Sequence, residues 1–428
     1  MKNNTLYKRK KYRKKSVGKN KILITQFIFI NIILLGFVFF LLFRNKTNVV
    51  NEVTGRLHTK GTRIIDKNNN EIILKSINYN ELMPNGYKYV RPDVSKLPII
   101  CSRWIEPPTS LDARQVKEMG FNSVRLVINW SQLETDKPVK NNKGEIIHKW
   151  DKNYLKALDK TISDLTENSV AVILDMHKYL WSSAFRLINS DEGFGCSGSG
   201  FPEWLYPNIT NSYTHQNARC DFFQNSTKIF SGYFIQDAFT DVWRMLAGRY
   251  LQNELVIGAD IINEPWPAKN ICSSEDLRLN SFYQKIGSAI RGVNPYLLLI
   301  FEDSQDQVSK NYTLNEPLKI SNSVYSFHLY TYEWDKSGKE MTDNYIKRAE
   351  SWNVPLFLGE FDGFGYSGND QPVILNDKRL TDLSKMMSYL KKKKVSWSFW
   401  SYSGYQSILQ PNSYKPKDEL MKILKKGI

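Results

Sequence analysis

The alternation of eight short apolar runs with amphipathic stretches, from residue 74 to the C-terminus, is what most constrains the fold of this chain. The runs are "LKSINYN" (Leu74 to Asn80), "SVRLVIN" (Ser123 to Asn129), "VAVILDMH" (Val170 to His177) and "VIGADIIN" (Val256 to Asn263), then "LLLIFED" (Leu297 to Asp303), "SVYSFHLY" (Ser323 to Tyr330), "PLFLGEF" (Pro355 to Phe361) and "VSWSFW" (Val395 to Trp400). Strands this continuously apolar are buried on both faces, as in a parallel sheet covered by helices. Between them lie helix signals: "SLDARQVKEMG" with its Ser110 cap and Gly120 stop, "DKNYLKALDKTISDLTEN", "IQDAFTDVWRMLAGRYL" and "EDLRLNSFYQKIGSAIRGVNP", followed by "TDNYIKRAESW", "LTDLSKMMSYLKKKK" and "KDELMKILKK". The fifth gap, Ser304 to Asn322, has the least helical pattern. Eight such units fit a closed (β/α)8 TIM barrel with enlarged loops better than an open sheet. Ahead of them "RIIDKNNNEIIL" reads as a hairpin turning at Lys67 to Asn70.

The net charge of +16 would suggest a nucleic-acid partner if it were spread over a folded face. It is concentrated instead: residues 1–46 hold twelve basic residues and no acidic ones, leaving 47 basic against 43 acidic in the rest. A nucleic-acid partner is therefore not expected. The basic head precedes "ILITQFIFINIILLGFVFFLLF" (Ile22 to Phe43), 22 uncharged residues, enough to cross a bilayer as a helix. Ten positive residues lie before it and two just after, which places the N-terminus in the cytoplasm and the remainder outside. The expected organisation is a basic cytoplasmic tail (1–21), a single transmembrane signal anchor (22–43), a stalk (44–57) and one barrel domain (58–428). No small-residue cleavage site follows the apolar run, which favours an anchor over a cleaved signal peptide.

Cys101, Cys196, Cys220 and Cys272 all follow the anchor, where disulfides persist. Four cysteines allow three pairings, of which Cys196–Cys220, within one long loop, is the simplest. Sequons at Asn208, Asn225 and Asn311 would accept glycans where the host has the machinery.

In a barrel of this kind chemistry sits where strands end. Arg125 lies in the second run, His177 ends the third, Asn263 and Glu264 end the fourth, His328 and Tyr330 the sixth, Glu360 the seventh and Trp400 the eighth. Two carboxylates able to meet across the mouth are what glycoside hydrolysis needs: one protonates the leaving oxygen, and the other attacks the sugar carbon or activates water. No metal or cofactor is called for, and only two of the five histidines stand at strand ends. No G-x-S-x-G elbow of a serine hydrolase follows a strand.

The ordered set "DMH", "INEPW", "FHLY", "LGEF" and "SFW" resembles the motifs of glycoside hydrolase family 5, the cellulase family of retaining barrel hydrolases, over roughly residues 58–428. The resemblance implies Glu264 as general acid/base and Glu360 as nucleophile. It also implies Asn263 at the sugar 2-hydroxyl, Arg125 hydrogen-bonded to the nucleophile, His328 and Tyr330 orienting the carboxylates, His177 lining the adjoining subsite and Trp400 stacking under the ring. Trp130, Trp181, Trp204, Trp266, Trp334 and Tyr402 are further aromatics in or next to the loops of that face.

The implied substrate is a β-linked glycan such as β-glucan or mannan. The loop from Lys178 to Gly232 exceeds 50 residues, a length usual for functional loops, and the "DMHKYLW", "PEW" and "NEPW" segments are also similar to endoglycoceramidase-like members, although Lys178-Tyr179 follow His177 where that group tends to carry Gln-Asp. A glycolipid hydrolase and a carbohydrate-binding pseudoenzyme are the alternatives. The latter normally lacks a catalytic group, and here none is missing.

Overall fold

The computed structural model describes residues 49–50, 52–79, 110–178, 200–205, 212–265, 272–273, 277–304, 313–330, 334–362, 377–402, 407–410 and 415–427. The predicted tail and anchor, Cys101, Cys196, Trp181 and Trp266 lie outside these residues. Among the described residues no helix is long and apolar enough to cross a membrane.

Each of the eight apolar runs forms a strand: β1 (Lys75–Tyr79), β2 (Ser123–Ile128), β3 (Ala171–Met176), β4 (Val256–Asp260), β5 (Leu298–Glu302), β6 (Ser323–Leu329), β7 (Leu356–Phe361) and β8 (Ser396–Phe399). They close into a parallel barrel, β8 pairing with β1. Among the described residues, helices follow seven of the eight strands, at Ser110–Glu118, Lys152–Glu167, Ile235–Arg249, Leu279–Val293, Lys339–Trp352, Asp377–Lys393 and Asp418–Gly427. The helix after β2 starts where its pattern does, the Asp151 carboxylate accepting from Tyr154 N at 2.7 Å.

The fifth gap contains no helix among the described residues, which run as irregular chain from 313 to 322. Its backbone is held from outside: Thr313 N and Leu314 N donate to Asp303 Oδ1 at 2.7 and 3.2 Å, and Arg348 donates to Leu314 O. Side-chain anchors from neighbouring elements satisfy these backbone groups without helical bonds.

Side chains alternate across each strand. Along β3, Val172 and Leu174 join the large core beneath the helices, while Ala171 and Ile173 belong to a second cluster with Ile257, Leu298, Ile300, Val324 and Phe357 inside the barrel. That inner cluster is closed from below by Ile64 and Ile72 of the N-terminal sheet and by Val53 and Leu57 of the chain between its strands. The hairpin there pairs Ile65 with Glu71 and turns at the asparagines: Asp66 Oδ1 accepts from Asn68 N and Asn70 N, each at 2.8 Å, and Asn69 takes φ +61°. The bottom of the barrel is thus largely apolar apart from serine hydroxyls such as the Ser76–Ser123 pair, and charged side chains collect in its upper half.

The strand register sets that polar layer. Asn78 stands opposite Arg125, Asp175 opposite Asp260, and His328 opposite Glu360. Regular pairing of β4 stops at Asp260, so Asn263 and Glu264 stand beyond the strand rather than at its last residues; Asn263 N still donates to Met176 O at 3.0 Å.

The disulfide differs from the Cys196–Cys220 pairing that proximity in sequence suggested. Cys220 bonds Cys272, 52 residues away, with the Cα atoms 6.0 Å apart. Cys220 lies on an extra helix, Ser212–Gln224, and its thiol is buried against the core, facing the loop after β4. Replacing either cysteine by alanine is expected to lower the unfolding free energy by up to about 4 kcal/mol, the chain-entropy effect of closing a loop of that length. The double variant should lose no more than either single one; urea titrations of all three check this, and additive losses would contradict the pairing.

Candidate active site

The upper half of the barrel is organised by one cation. Arg125 is fully buried; its Nε donates to Asp260 Oδ2 at 2.8 Å, Nη1 to Asn78 Oδ1 at 3.0 Å and to Glu360 Oε1 at 2.6 Å, and Nη2 to Asn263 Oδ1 at 2.9 Å. Nη2 also lies 3.0 Å from Asp175 Oδ1. Burial works against the charge on Arg125, but Asp175, Asp260 and Glu360 outweigh it and hold the guanidinium protonated well above its usual value. One cation cannot neutralise three carboxylates. Burial accordingly pushes Asp175 up to about 7 and Asp260 up to about 6, against the pull of Arg125.

The two candidate catalytic carboxyls have different surroundings. Both oxygens of Glu360 are engaged, Oε1 by Arg125 and Oε2 by the Tyr330 hydroxyl, which donates at 2.7 Å. Glu264 instead meets His328, Nδ1 to Oε1 at 2.9 Å, and burial raises its pKa against the opposing charge of Lys178. Burial lowers His328 to about 3, so it is a neutral imidazole. An oxygen of Glu264, an oxygen of Glu360 and a ring nitrogen of His328 all lie within 4.8 Å of one another. A Cβ at Gly359 would come within 2.8 Å of His328 Nε2, so the glycine leaves the space that the ring fills.

His177 and Trp400 complete the set. His177 Nδ1 is 2.8 Å from Asp175 Oδ2, and burial brings its pKa down to about 4. The half-buried Trp400 stacks on it, with ring centroids 5.3 Å apart and planes at 18°. All eight residues singled out in the sequence thus converge on one place, six through shared hydrogen bonds with Arg125 or the two glutamates and these two through Asp175.

Sequence reasoning missed Asn78, Asp175, Lys178, Asp260 and Glu302. Glu302 Oε2 accepts from Glu264 N at 2.9 Å, and Lys178 O accepts from Asn263 Nδ2 at 2.9 Å. The signal was strand parity: Asp175 and Asp260 interrupt apolar runs at inward positions, where an unpaired charge would be costly. Of the extra aromatics, Trp130, Trp334 and Tyr402 are buried packing residues rather than exposed platforms. Trp130 packs on Phe201, Trp204 and Phe239 and donates to Glu134 Oε2 at 2.9 Å, and Tyr402 donates to Asp112 Oδ1 at 2.6 Å.

The approach of one oxygen from each carboxyl to within 4.8 Å is in keeping with the short separation, about 5–5.5 Å between carboxyl groups, of retaining glycosidases. The family model described as Cellulase (glycosyl hydrolase family 5) matches residues 84–406. The chain belongs to glycoside hydrolase family 5. It is similar to an endoglucanase of Paenibacillus polymyxa, 25% identical over 392 residues covering 84% of this chain and 81% of that protein. An endoglycoceramidase of Cyanea nozakii is 23% identical over 341 residues, covering 69% of this chain and 61% of that protein. In fold the chain is similar to the crystal structure of an endogalactoceramidase, with a TM-score of 0.66 and 21% identity, covering 86% of this chain and 84% of that one. As a family 5 member it is a retaining glycoside hydrolase.

Arg125→Met is expected to destabilise the protein by about 3–5 kcal/mol, because it strands buried carboxylates. Without the guanidinium, Asp175 and Asp260 rise still further above their unfolded values. A carboxyl raised in the folded state loses its support for folding as pH rises towards the folded pKa, in parallel in both proteins, so the deficit should grow only between about pH 6 and pH 8, where wild-type Asp260 and Asp175 ionise beside the guanidinium and those of the variant do not. Urea titrations of both proteins at the two ends of that range check it; a constant deficit would mean that Arg125 acts by packing alone.

Proposed function

We propose that this family 5 chain is a membrane-anchored retaining β-glycosidase in which Glu264 is the general acid/base and Glu360 the nucleophile. The observation carrying this reading is the close approach of two carboxyls with unlike partners, Glu360 bound by Arg125 and Tyr330 and Glu264 buried beside a neutral His328. In the first step a Glu360 oxygen attacks the anomeric carbon while the Glu264 proton passes to the leaving oxygen, giving a glycosyl ester and the freed aglycone. In the second, Glu264, now a carboxylate, takes a proton from water; the water oxygen bonds to the anomeric carbon and the ester breaks, with net retention. In this reading Asn263 takes the sugar 2-hydroxyl, and Trp400 with His177 the neighbouring ring face.

The proposed substrate is a β-linked glycan such as β-glucan or mannan, supported by the similarity to an endoglucanase over most of both chains. A second reading, release of the glycan from a glycolipid, is favoured by the likeness to an endoglycoceramidase and an endogalactoceramidase. The anchor, Ile22 to Phe43 behind its basic head, would hold the barrel outside the cytoplasmic membrane, where either substrate is within reach.

Glu360→Gly should abolish turnover, and azide should restore cleavage of an activated aryl β-glycoside with the α-glycosyl azide as product. Loss without rescue would leave Glu360 without its role. Full-length protein in detergent should release oligosaccharides from β-glucan or mannan; release from glycosphingolipids alone would select the second reading. Mass spectrometry of the products decides between them.

A further inference from the structure

Glu264 takes φ +42°, a left-handed conformation that costs a non-glycine residue about 1–2 kcal/mol. Such a residue persists only where its surroundings over-determine it. Here both polar atoms of its backbone are bound by side chains from flanking strand ends. The amide donates to Glu302 Oε2 at 2.9 Å, and the carbonyl accepts from Lys178 Nζ. Lys178 is itself tied back, its carbonyl accepting from Asn263 Nδ2 at 2.9 Å. A buried lysine two residues beyond β3, 6% exposed, is costly unless it is used, and the two-carboxylate mechanism leaves it without a role.

We infer that Lys178 is a positioning residue for the acid/base: it clamps the Glu264 peptide in its left-handed turn and holds an amine within electrostatic reach of the Glu264 carboxyl. The inference rests on Glu264 being the acid/base. The groups facing the amine are Arg219 from the extra helix, Glu264 after β4 and Glu302 of β5; burial and then the charge of Arg219 bring it down to about 7, against the two glutamates. Its charge in turn opposes the rise that burial imposes on Glu264. A charged Lys178 therefore favours the basic form of Glu264 needed for the second step, and removing that charge favours the acidic form.

The test uses the full chain and an aryl β-glycoside whose phenol leaves poorly, so that proton donation limits kcat/KM. Lys178→Met should lower kcat and move the alkaline limb of kcat/KM upward by about half to one pH unit. Lys178→Gln, which keeps a donor without the charge, should show the same shift with a smaller loss of kcat and serves if the Met variant does not fold. Lys178→Arg, with a fixed charge, should leave the limb at or below the wild-type position. Slower variants with an unmoved alkaline limb would overturn the inference. Glu264→Ala with azide and an activated aryl glycoside separates the two layers, since the acid/base reading requires a β-glycosyl azide. If that product forms and the limb stays fixed, the Lys178 assignment alone fails; if it does not form, the acid/base reading fails and takes the inference with it.

Discussion

A fully buried guanidinium must have its charge and its hydrogen bonds answered from inside the protein, and the top of this barrel is arranged around answering those of Arg125. Its partners come from β1, β3, β4, the turn after β4, and β7. Satisfying them together fixes how those strands sit against one another, which is why Asn78 stands in register with Arg125 and Asp175 with Asp260. The same cation that completes the core aims Glu360, so folding and orientation of that carboxylate are one requirement.

Glu264 and Glu360 are chemically identical side chains that the barrel treats differently. Glu360 meets a permanent cation and a phenol; Glu264 meets a neutral imidazole and a backbone turn held by its neighbours. Burial raises the proton affinity of Glu264, as the proposed acid requires, while both oxygens of Glu360 are held by donors, as the proposed nucleophile requires. The neutrality of His328 matters here, because burial removes its charge while leaving a hydrogen-bonding ring nitrogen at Glu264.

The strands were legible because burial on both faces leaves runs such as "VAVILDMH" almost without polar residues, and the site was legible because its residues interrupt those runs at one end. Asp175 and Asp260 escaped notice since a single aspartate in an apolar run looks tolerable until its inward parity and the matching position of Arg125 are considered together. Glu302, inside the run "LLLIFED", drew no reading of its own, and only the turn at Glu264 shows what it holds. The Cys220–Cys272 bridge was not readable either: loop length ranks pairings by entropy, whereas the direction in which a helix presents its cysteine is a tertiary fact. In the fifth gap, backbone groups capped by Asp303 and Arg348 replace a helix, and isolated side-chain anchors leave no periodicity.

The apolar plug under the barrel, where Val53, Leu57, Ile64 and Ile72 meet the inner strand residues, makes the interior a blind-ended well. On the proposed mechanism saccharide, aglycone and water all act at its upper mouth. Traffic there is sequential: the hydrolytic water reaches the anomeric carbon through space that the departing group has vacated. Any side chain that slows that departure would therefore leave the glycosyl ester open to return attack by the departing group itself, and the balance between hydrolysis and reversal becomes a property of the mouth as well as of the two glutamates.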